Sequence, residues 1–411
     1  MPGALPVKTI LPEFNSMAFF AVEPGVSFHS VQEVFGDRPR LSLQGWYHAR
    51  ETPSQMENAT LQRLKSTGRG EDTEGTFESL VGGKEGESTG ATDDGGVDHL
   101  SREDRDFLGG YINPAYLTDE SMGEIRTRFE EESSIKLRHF LVDELNARIT
   151  KSCKELDDRD KVGRDRPSLD YKVGTGGNWK AVGPAHKQRF LEYEPATGGD
   201  EPDGDKASAD DAVVCAGDHL HNLRTTLFRS AAFGRWLGHV SSLGYPLGER
   251  GRVRRFRPGL DYTVAHYGVL TTNPVLDATL CFCAGDGKPC AFDDETDELV
   301  GSDDDAIWES GDVGGFECYI AADEGGEDDG PDAEYDDEDD TKLLSVQASN
   351  NTLSLVYRDP GTMRFVKYVG AGAPSSRWDV ALEYDVEADD DEEGEDEEED
   401  GDECWTEPMR G

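Results

Sequence analysis

The 411-residue sequence is short of positive charge, with 41 lysines and arginines against 87 aspartates and glutamates and a formal net charge of -46 at pH 7. The excess acid is concentrated in residues 323–340 and 387–403, which hold 12 and 14 acidic residues and contain no lysine or arginine. A phosphate backbone needs clustered cations, so the composition argues against direct binding of nucleic acid. Such tracts are typical of solvated, disordered chain, and docking of a basic protein is the alternative.

The sequence also lacks a long apolar run, a charged and then apolar leader, and an even set of cysteines. A stretch such as MAFFAV is far shorter than the about 20 apolar residues of a membrane-spanning helix, so no membrane partner is expected. Seven cysteines without a leader predict a reducing compartment, and we expect the protein in the nucleus and cytoplasm.

The amino-acid composition changes along the chain and divides it into segments. Residues 17–48 alternate as three short strands, with turns at Pro24-Gly25 and at 36–39. Serine, threonine, glycine and acid then dominate up to residue 110, a composition that predicts a disordered acidic linker. The predicted segments are 1–50 (strands), 51–110 (linker), 111–386 (folded, with polar insertions near 152–211 and 323–340) and 387–411 (acidic tail).

Residues 111–386 predict helices first and strands afterwards. Thr118 is placed to cap a helix with Met122, Ile125 and Phe129 on one face, and Ser134 is placed to cap a second helix. Seven stretches separated by glycine and proline turns favour strands in a sandwich or barrel. They are RVRRFRPGLDYTVAHYG, LDATLCFCAG, GGFECYIAA, LLSVQAS, NTLSLVYRDPG, MRFVKYVG and RWDVALEYDV.

An internal repeat connects the two ends of the chain. NSMAFFAVEPGVSFHSV (15–31) aligns without a gap on NTLSLVYRDPGTMRFVK (351–367), with Glu-Pro-Gly over Asp-Pro-Gly. The N-terminal segment therefore resembles the closing strands of the β unit that ends near residue 386. His29 is the difference between the copies, because Phe365 or Val366 stands in its place in the second copy.

His29, Arg40 and Ser42 are the candidate site residues. A neutral imidazole is a good Fe(II) ligand, and the common mononuclear iron site uses two histidines and one carboxylate. An arginine eleven residues further on can hold the far carboxylate of 2-oxoglutarate through two parallel hydrogen bonds, and Ser42 can add a hydroxyl donor. On spacing alone, an ordinary strand histidine is the favoured interpretation.

Several stretches of the sequence resemble those of a known family. PEFNSMAFFAVEPGVSFHSVQEVFGDRPRLSLQGWYH looks like the end of the catalytic domain in the Fe(II)- and 2-oxoglutarate-dependent prolyl hydroxylases that modify a small-subunit ribosomal protein. Five later stretches resemble the C-terminal domain of that family in the same order. They are YINPAYL, RRFRPGLDYT, WESGDVGGFECYI, NTLSLVYRDPGTMRFVKYV and APSSRWDV.

The resemblance implies a mainly β fold with flanking helices: double-stranded β-helix (jelly-roll or cupin-like) units, of which the first is present as its C-terminal half and the second is complete but degenerate. It implies that His29 is the distal iron ligand and that Arg40 anchors 2-oxoglutarate. The cofactors implied are Fe(II), 2-oxoglutarate and O2, with ascorbate as reductant. The implied partner is a small-subunit ribosomal protein, in a role linked to translation.

One departure from the family and one alternative function remain open. None of the nine histidines is followed two residues later by Asp or Glu, so the His-x-Asp pair of the family is absent and we expect a truncated chain. The alternative function is a non-catalytic module that binds a regulatory protein through its C-terminal domain.

Three other groups carry weaker signals. Cys281, Cys283 and Cys290 do not have the spacing of a zinc finger, so buried thiols are expected. The DHLH stretch at 218–221 is interpreted as a helix start with Asp218 as its cap. The basic RVRRFR stretch at 252–257 is expected to form internal ion pairs rather than to contact RNA.

The missing His-x-Asp pair leads to a first prediction. The purified 411-residue chain is expected not to bind Fe(II) tightly at one equivalent, because two of the three protein ligands of such a site are absent. Metal analysis after anaerobic loading and desalting checks this. Retention of stoichiometric iron by the 411-residue chain would contradict it.

Overall fold

The structure is a computed structural model that describes most of the C-terminal part of the chain and shorter stretches before it. The acidic stretches 323–340 and 387–411, Cys290 and most of 51–110 lie outside the described residues. The described residues are 3–22, 27–35, 38–47, 75–80, 100–164, 166, 170–195, 215–266, 269–271, 273–283, 291–293, 298–300, 303–322 and 342–386.

Two antiparallel sheets form the C-terminal unit. The large sheet has the strand order β1-β11-β6-β13-β4-β3-β2, and the small sheet has the order β10-β9-β12, with β5 pairing with β3. The strands are β1 (Ser134–Leu137), β2 (Trp179–Val182), β3 (Gln188–Tyr193), β4 (Gly248–Phe256), β5 (Tyr262–Thr263), β6 (Val275–Cys283), β7 (Ala291–Asp293), β8 (Glu298–Val300), β9 (Glu317–Ala321), β10 (Lys342–Val346), β11 (Thr352–Arg358), β12 (Thr362–Val366) and β13 (Arg377–Asp385).

Eight of these strands build a jelly roll. Strands β4, β13, β6 and β11 are neighbours in the large sheet, while β9, β10 and β12 form the small sheet and β5 contacts β12. Along the chain, connections cross repeatedly from one sheet to the other, which is the winding of a double-stranded β-helix. The mainly β fold with flanking helices that the sequence predicts is confirmed.

Helices cover the outer face of the large sheet. They contribute Trp236, fully buried, whose indole Nε1 donates a hydrogen bond to the Tyr116 carbonyl at 3.0 Å and whose ring lies 5.7 Å from that of Phe140. Every residue of β6 is buried, because helices pack on one face of it and the small sheet on the other. The helices are α1 (Arg102–Leu108), α2 (Asp119–Glu132), α3 (Asp143–Asp160), α4 (Ala216–Asn222), α5 (Ala231–Ser241) and α6 (Asp303–Ser310), with a 3-10 turn at Pro114–Leu117 and a π-helical turn at Leu223–Phe228.

Among the local predictions for residues 111–386, the strands and one helix cap are confirmed and one helix is wrong. All seven predicted strand stretches contain strands, and Thr118 caps α2 by accepting a hydrogen bond from the Ser121 N–H at 3.2 Å. The helix predicted from Ser134 is wrong. Residues Ser134–Leu137 form β1 instead, because they complete the edge of the large sheet by pairing with β11, and the helix begins only at Asp143.

Two polar segments are better folded than their composition indicates. The stretch 152–211 contains the end of α3 and strands β2 and β3, and β3 pairs with β4 inside the large sheet. In the expected linker 51–110, Leu80, Leu100 and Leu108 are buried in the main core and α1 has formed. Burial of a few isolated leucines is enough to hold these stretches against the core. The average composition of a stretch does not reveal such single residues.

The strands predicted over 17–48 do not form in the described residues of that segment, which have no assigned secondary structure. A strand needs a neighbour for its N–H and C=O groups, and no described strand pairs with this segment. The second copy of the repeat does pair, as β11 and β12 joined by a turn in which Gly361 has φ +87°.

Two helical glycines give a matched test of packing. A Cβ on Gly217 in α4 would lie 2.1 Å from the Tyr193 ring, whereas a Cβ on Gly123 in α2 would meet nothing within 4 Å. Gly217→Ala is expected to lower the free energy of unfolding by about 1–3 kcal/mol through overpacking. Gly123→Ala is expected to raise it by about 0.5–1 kcal/mol through helix propensity.

Urea unfolding of both variants beside the unsubstituted chain measures the two changes. The same sign of change in both variants would contradict the packing at Tyr193.

Candidate functional site

His29 lies on the exposed, extended N-terminal segment. Its Nδ1 is 2.8 Å from the carbonyl oxygen of Ser27, and its ring meets the ring of Phe20 edge-on with 4.9 Å between centroids. A hydrogen bond from Nδ1 to a carbonyl leaves Nε2 as the ring nitrogen with a free lone pair. His29 therefore has the local support that a metal-binding imidazole commonly has.

Arg40 and Ser42 lie further along the same segment, and both are exposed. Arg40 forms no ion pair with the described residues, so its guanidinium keeps its donors for another partner. A guanidinium of this kind can accept a carboxylate in the two-bond manner expected of a 2-oxoglutarate anchor. The structure leaves these roles of Arg40 and Ser42 as predictions.

The iron ligands can be tested against the donors in the structure. Among the described residues, no group of three or more histidine, cysteine, aspartate or glutamate side chains is placed to hold a metal ion. His29 supplies one donor, and a mononuclear Fe(II) site of the expected type needs three from the protein. The described residues therefore do not fit the metal, and no chemical step is derived through it.

The N-terminal segment exposes many large apolar side chains. Phe14 is 102%, Leu43 105% and Trp46 75% exposed. Neighbouring residues Phe19 and Phe20 are both exposed, and adjacent residues would point to opposite faces if this segment formed a strand. Apolar residues on both faces are typical of a strand that is covered on both sides, so this segment has the character of an interior strand.

The interior of the C-terminal barrel is charged. Glu317 on β9 is the centre, because its Oε1 lies 3.4, 3.0 and 3.1 Å from guanidinium nitrogens of Arg254, Arg364 and Arg377. Burial alone would raise the pKa of Glu317, but these three guanidinium groups hold it well below its usual range. Glu317 is therefore a buried anion at neutral pH.

Cross-strand ion pairs extend this cluster along the large sheet. Arg254 contacts Asp379 directly opposite it on β13, with its Nε 2.8 Å from Oδ1 and its Nη2 3.1 Å from Oδ2. Arg358 donates from Nε to Asp277 at 2.9 Å and from Nη2 to Glu383 at 2.6 Å. The prediction of internal ion pairs for the RVRRFR stretch is confirmed.

The negative charge of Asp277 is less well compensated by neighbouring arginines than that of Glu317. Burial raises the pKa of Asp277 above its usual value, even though Arg358 and Arg364 both lower it. We call the residues joined in this way the barrel charge cluster. Its members are Arg254, Asp277, Glu317, Arg358, Arg364, Arg377, Asp379 and Glu383.

Sequence reasoning found Arg254 of this cluster, as part of the RVRRFR stretch, but missed its other arginines and Glu317 as its centre. The signal for the cross-strand pairs was present: Arg250 and Arg254 are four residues apart on β4, and their partners Glu383 and Asp379 are four residues apart on β13. Alternate residues share one face of a strand, so the complementary charges face each other when the strands pair. No such period marks Glu317, which reaches the cluster from the facing sheet.

The remaining candidates are structural. Cys281 and Cys283 are buried with their Sγ atoms 4.0 Å apart, as expected for core thiols. The hydrogen bond from Cys283 lowers the pKa of Cys281 to about 7. Asp218 does not cap its helix but stands at its third position, where it accepts a hydrogen bond from the N–H of the capping residue Cys215 at 3.0 Å.

The strand order and charged interior define a double-stranded β-helix protein whose described barrel is filled by ion pairs. Residues 103–392 match the family described as oxoglutarate and iron-dependent oxygenase degradation C-terminal domain, and the chain belongs to that family. Residues 1–48 match the 2OG-Fe(II) oxygenase superfamily. The part of the chain with His29, Arg40 and Ser42 is therefore similar to an oxygenase domain.

Curated relatives extend this similarity. The chain is 33% identical over 397 residues to a prolyl 3,4-dihydroxylase of Ostreococcus tauri, covering 93% of this chain and 66% of the relative. It is 28% identical over 388 residues to a prolyl 3-hydroxylase of Xenopus laevis, covering 90% of this chain and 57% of the relative. The chain thus spans about 55–66% of the length of the curated relatives it matches.

A solved structure is also similar at low level. A prolyl-4-hydroxylase of Pseudomonas putida aligns with a TM-score of 0.32 and 11% identity, covering 65% of this chain and 99% of that chain. That similarity is too distant to inform the chemistry of this chain. No helix among the described residues is long and apolar enough to cross a bilayer.

The barrel charge cluster yields a prediction about stability. Glu317→Gln is expected to lower the free energy of unfolding at pH 7 by about 3–5 kcal/mol, because it leaves three buried guanidinium groups with one anion fewer. Urea unfolding measures the change. Glu131→Gln on the exposed face of α2 is the control and is expected to stay within about 0.5 kcal/mol.

The stability difference between the unsubstituted chain and Glu317→Gln is expected to depend on pH. The folded pKa of Glu317 is below its unfolded value of about 4.5, so its contribution is complete above that pH and is lost as the pH falls towards the folded pKa. The difference between the unsubstituted chain and Glu317→Gln should therefore shrink below about pH 4.5. A difference that grows on acidification would contradict the assignment.

Proposed function

We propose that this chain is part of a Fe(II)- and 2-oxoglutarate-dependent dioxygenase that hydroxylates a prolyl residue of a small-subunit ribosomal protein. The support is that the segment carrying His29 and Arg40 matches an oxygenase superfamily, and that prolyl hydroxylases match the chain over about nine-tenths of its length. The proposed cofactors are Fe(II), 2-oxoglutarate and O2, with ascorbate as reductant. The proposed setting is translation in the nucleus and cytoplasm.

The roles of three residues are proposed with it. His29 binds iron through Nε2, with Nδ1 engaged by the Ser27 carbonyl. Arg40 holds the far carboxylate of 2-oxoglutarate, and Ser42 donates a hydroxyl hydrogen bond to the same group. Bound iron would supply the activation of O2, and Arg40 and Ser42 would hold the cosubstrate.

The domain arrangement follows the same proposal. Residues 1–50 are the closing strands of the catalytic unit, and 111–386 are a non-catalytic double-stranded β-helix. The support is that residues 1–48 and residues 103–392 match two different families.

Arg40 is exposed and forms no ion pair with the residues that the structure describes, and its proposed role can be tested directly. In a form of the protein that turns over 2-oxoglutarate, Arg40→Lys is expected to raise the KM for 2-oxoglutarate about tenfold or more, because a two-bond contact becomes a point charge. Arg38→Lys, two residues away and also exposed, is the control and should leave the KM unchanged.

Mass spectrometry of a proline-containing peptide from the small ribosomal subunit, incubated with iron, 2-oxoglutarate and ascorbate, reports the hydroxylation. An equal effect of the Arg40 and Arg38 substitutions would refute the anchor role. Turnover of 2-oxoglutarate without a hydroxylated peptide would refute the substrate.

A second candidate is a non-catalytic module that binds a regulatory protein through residues 111–386. The observation in its favour is that the described barrel is filled by the charge cluster rather than by metal ligands. Retention of the biological effect of the protein in a His29→Ala variant would favour this candidate over catalysis.

A further inference from the structure

The N-terminal segment is attached to the C-terminal barrel between its two candidate site residues. The Glu33 carboxylate oxygen Oε2 accepts a hydrogen bond from the Ala371 N–H at 2.8 Å and another from the Tyr368 hydroxyl at 3.1 Å. Glu33 is four residues after His29 and seven before Arg40. One carboxylate thus ties this segment to the loop between β12 and β13.

Two aromatic contacts lie on either side of Glu33. The Phe28 ring stacks on the His186 ring, with 5.0 Å between centroids and 21° between the planes. Phe35 lies against Gly259, where a Cβ would be 2.9 Å from its ring, and Gly259 has φ +75°. The attachment therefore has three points along residues 28–35, and at one of them the barrel backbone approaches too closely for a side chain.

The barrel residues at these three points come from turns that are fixed to one another. Gly259 donates its N–H to the Val369 carbonyl at 2.8 Å, and Val369 donates its own N–H to the Asp261 carbonyl at 3.0 Å. Asp261 is fully buried and holds Arg257 through a two-bond ion pair of 2.7 and 2.9 Å. We call His186, Gly259, Tyr368 and Ala371 the cradle.

A strand in a sheet is held by its neighbours, but the described part of this segment has no strand partner. Binding sites need their side chains held to within about 0.5 Å. An extended chain advances about 3.3 Å per residue, so Glu33 is within about 13 Å of His29 and about 23 Å of Arg40 along the backbone. The cradle is the described part of the protein that can fix both residues.

We propose that the cradle positions the segment that carries Arg40, and that Glu33 and Tyr368 are positioning residues for the 2-oxoglutarate anchor. This inference rests on the proposed function. It gives the C-terminal domain a direct part in binding the cosubstrate, since its loops hold the segment that carries the anchor. Burial and the Glu33 carboxylate together raise the pKa of Tyr368, so its hydroxyl stays protonated and can donate at physiological pH.

The attachment can be tested in the 411-residue chain by amide hydrogen exchange with mass spectrometric detection, without iron or 2-oxoglutarate. Tyr368→Phe keeps the ring and removes one donor, and Glu33→Gln keeps the shape and removes the charge. Each is expected to speed exchange of the Ala371 amide, whose N–H donates to Glu33, about tenfold, the factor that corresponds to one charge-assisted hydrogen bond. Glu13→Gln, exposed on the same segment, is the matched control and should leave the exchange rate of Ala371 unchanged.

Unchanged exchange of the Ala371 amide in both Tyr368→Phe and Glu33→Gln would overturn the proposal. Equal acceleration in the Glu13→Gln control would also overturn it, since the effect would not come from the cradle. Unchanged urea unfolding of Tyr368→Phe, measured beside the exchange, separates release of the segment from unfolding of the barrel.

The positioning role has a kinetic readout in a form of the protein that turns over 2-oxoglutarate. Tyr368→Phe is expected to raise the KM for 2-oxoglutarate several-fold and to change kcat little, because the anchor moves while the chemistry does not. Faster exchange with an unchanged KM would overturn the positioning role. A complete lack of turnover in the unsubstituted protein would refute the proposed function instead, and the exchange experiment would then decide on the cradle alone.

Discussion

The C-terminal barrel depends on a single buried carboxylate. Glu317 comes from the small sheet, while Arg254 and Arg377 come from the large sheet, so their contacts join the two layers across the interior. Ions of one sign in such a place would be costly, and the arrangement is stable because each cation has a carboxylate on a neighbouring strand. The register of β4 on β13 is therefore set by charge as well as by apolar packing.

Sequence patterns predict the barrel well because most of its strands are marked locally. Stretches such as NTLSLVYRDPG combine β-branched or aromatic residues with a turn that contains proline and glycine, and they form the hairpin of β11 and β12. Thr118 predicts the start of α2, because its hydroxyl oxygen can accept a hydrogen bond from an N–H in the first turn of the helix. Ser134 has the same type of side chain but lies in β1, because pairing with a distant strand overrides the local preference.

The candidate site is predictable only in part, and the reason is long-range. His29 and Arg40 can be found by their spacing and by resemblance, but Glu33 carries no signal that separates it from the other 86 acidic residues. Its meaning depends on Tyr368 and Ala371, more than 300 residues later in the chain. Contacts of this kind follow from how two units are packed together, which local periodicity does not encode.

Strand β10 lies at the edge of the small sheet, and its residue Leu343 is 58% exposed. An open edge of this kind can pair with the same edge of a second molecule and start aggregation. Two copies joined along β10 would share one continuous six-stranded sheet.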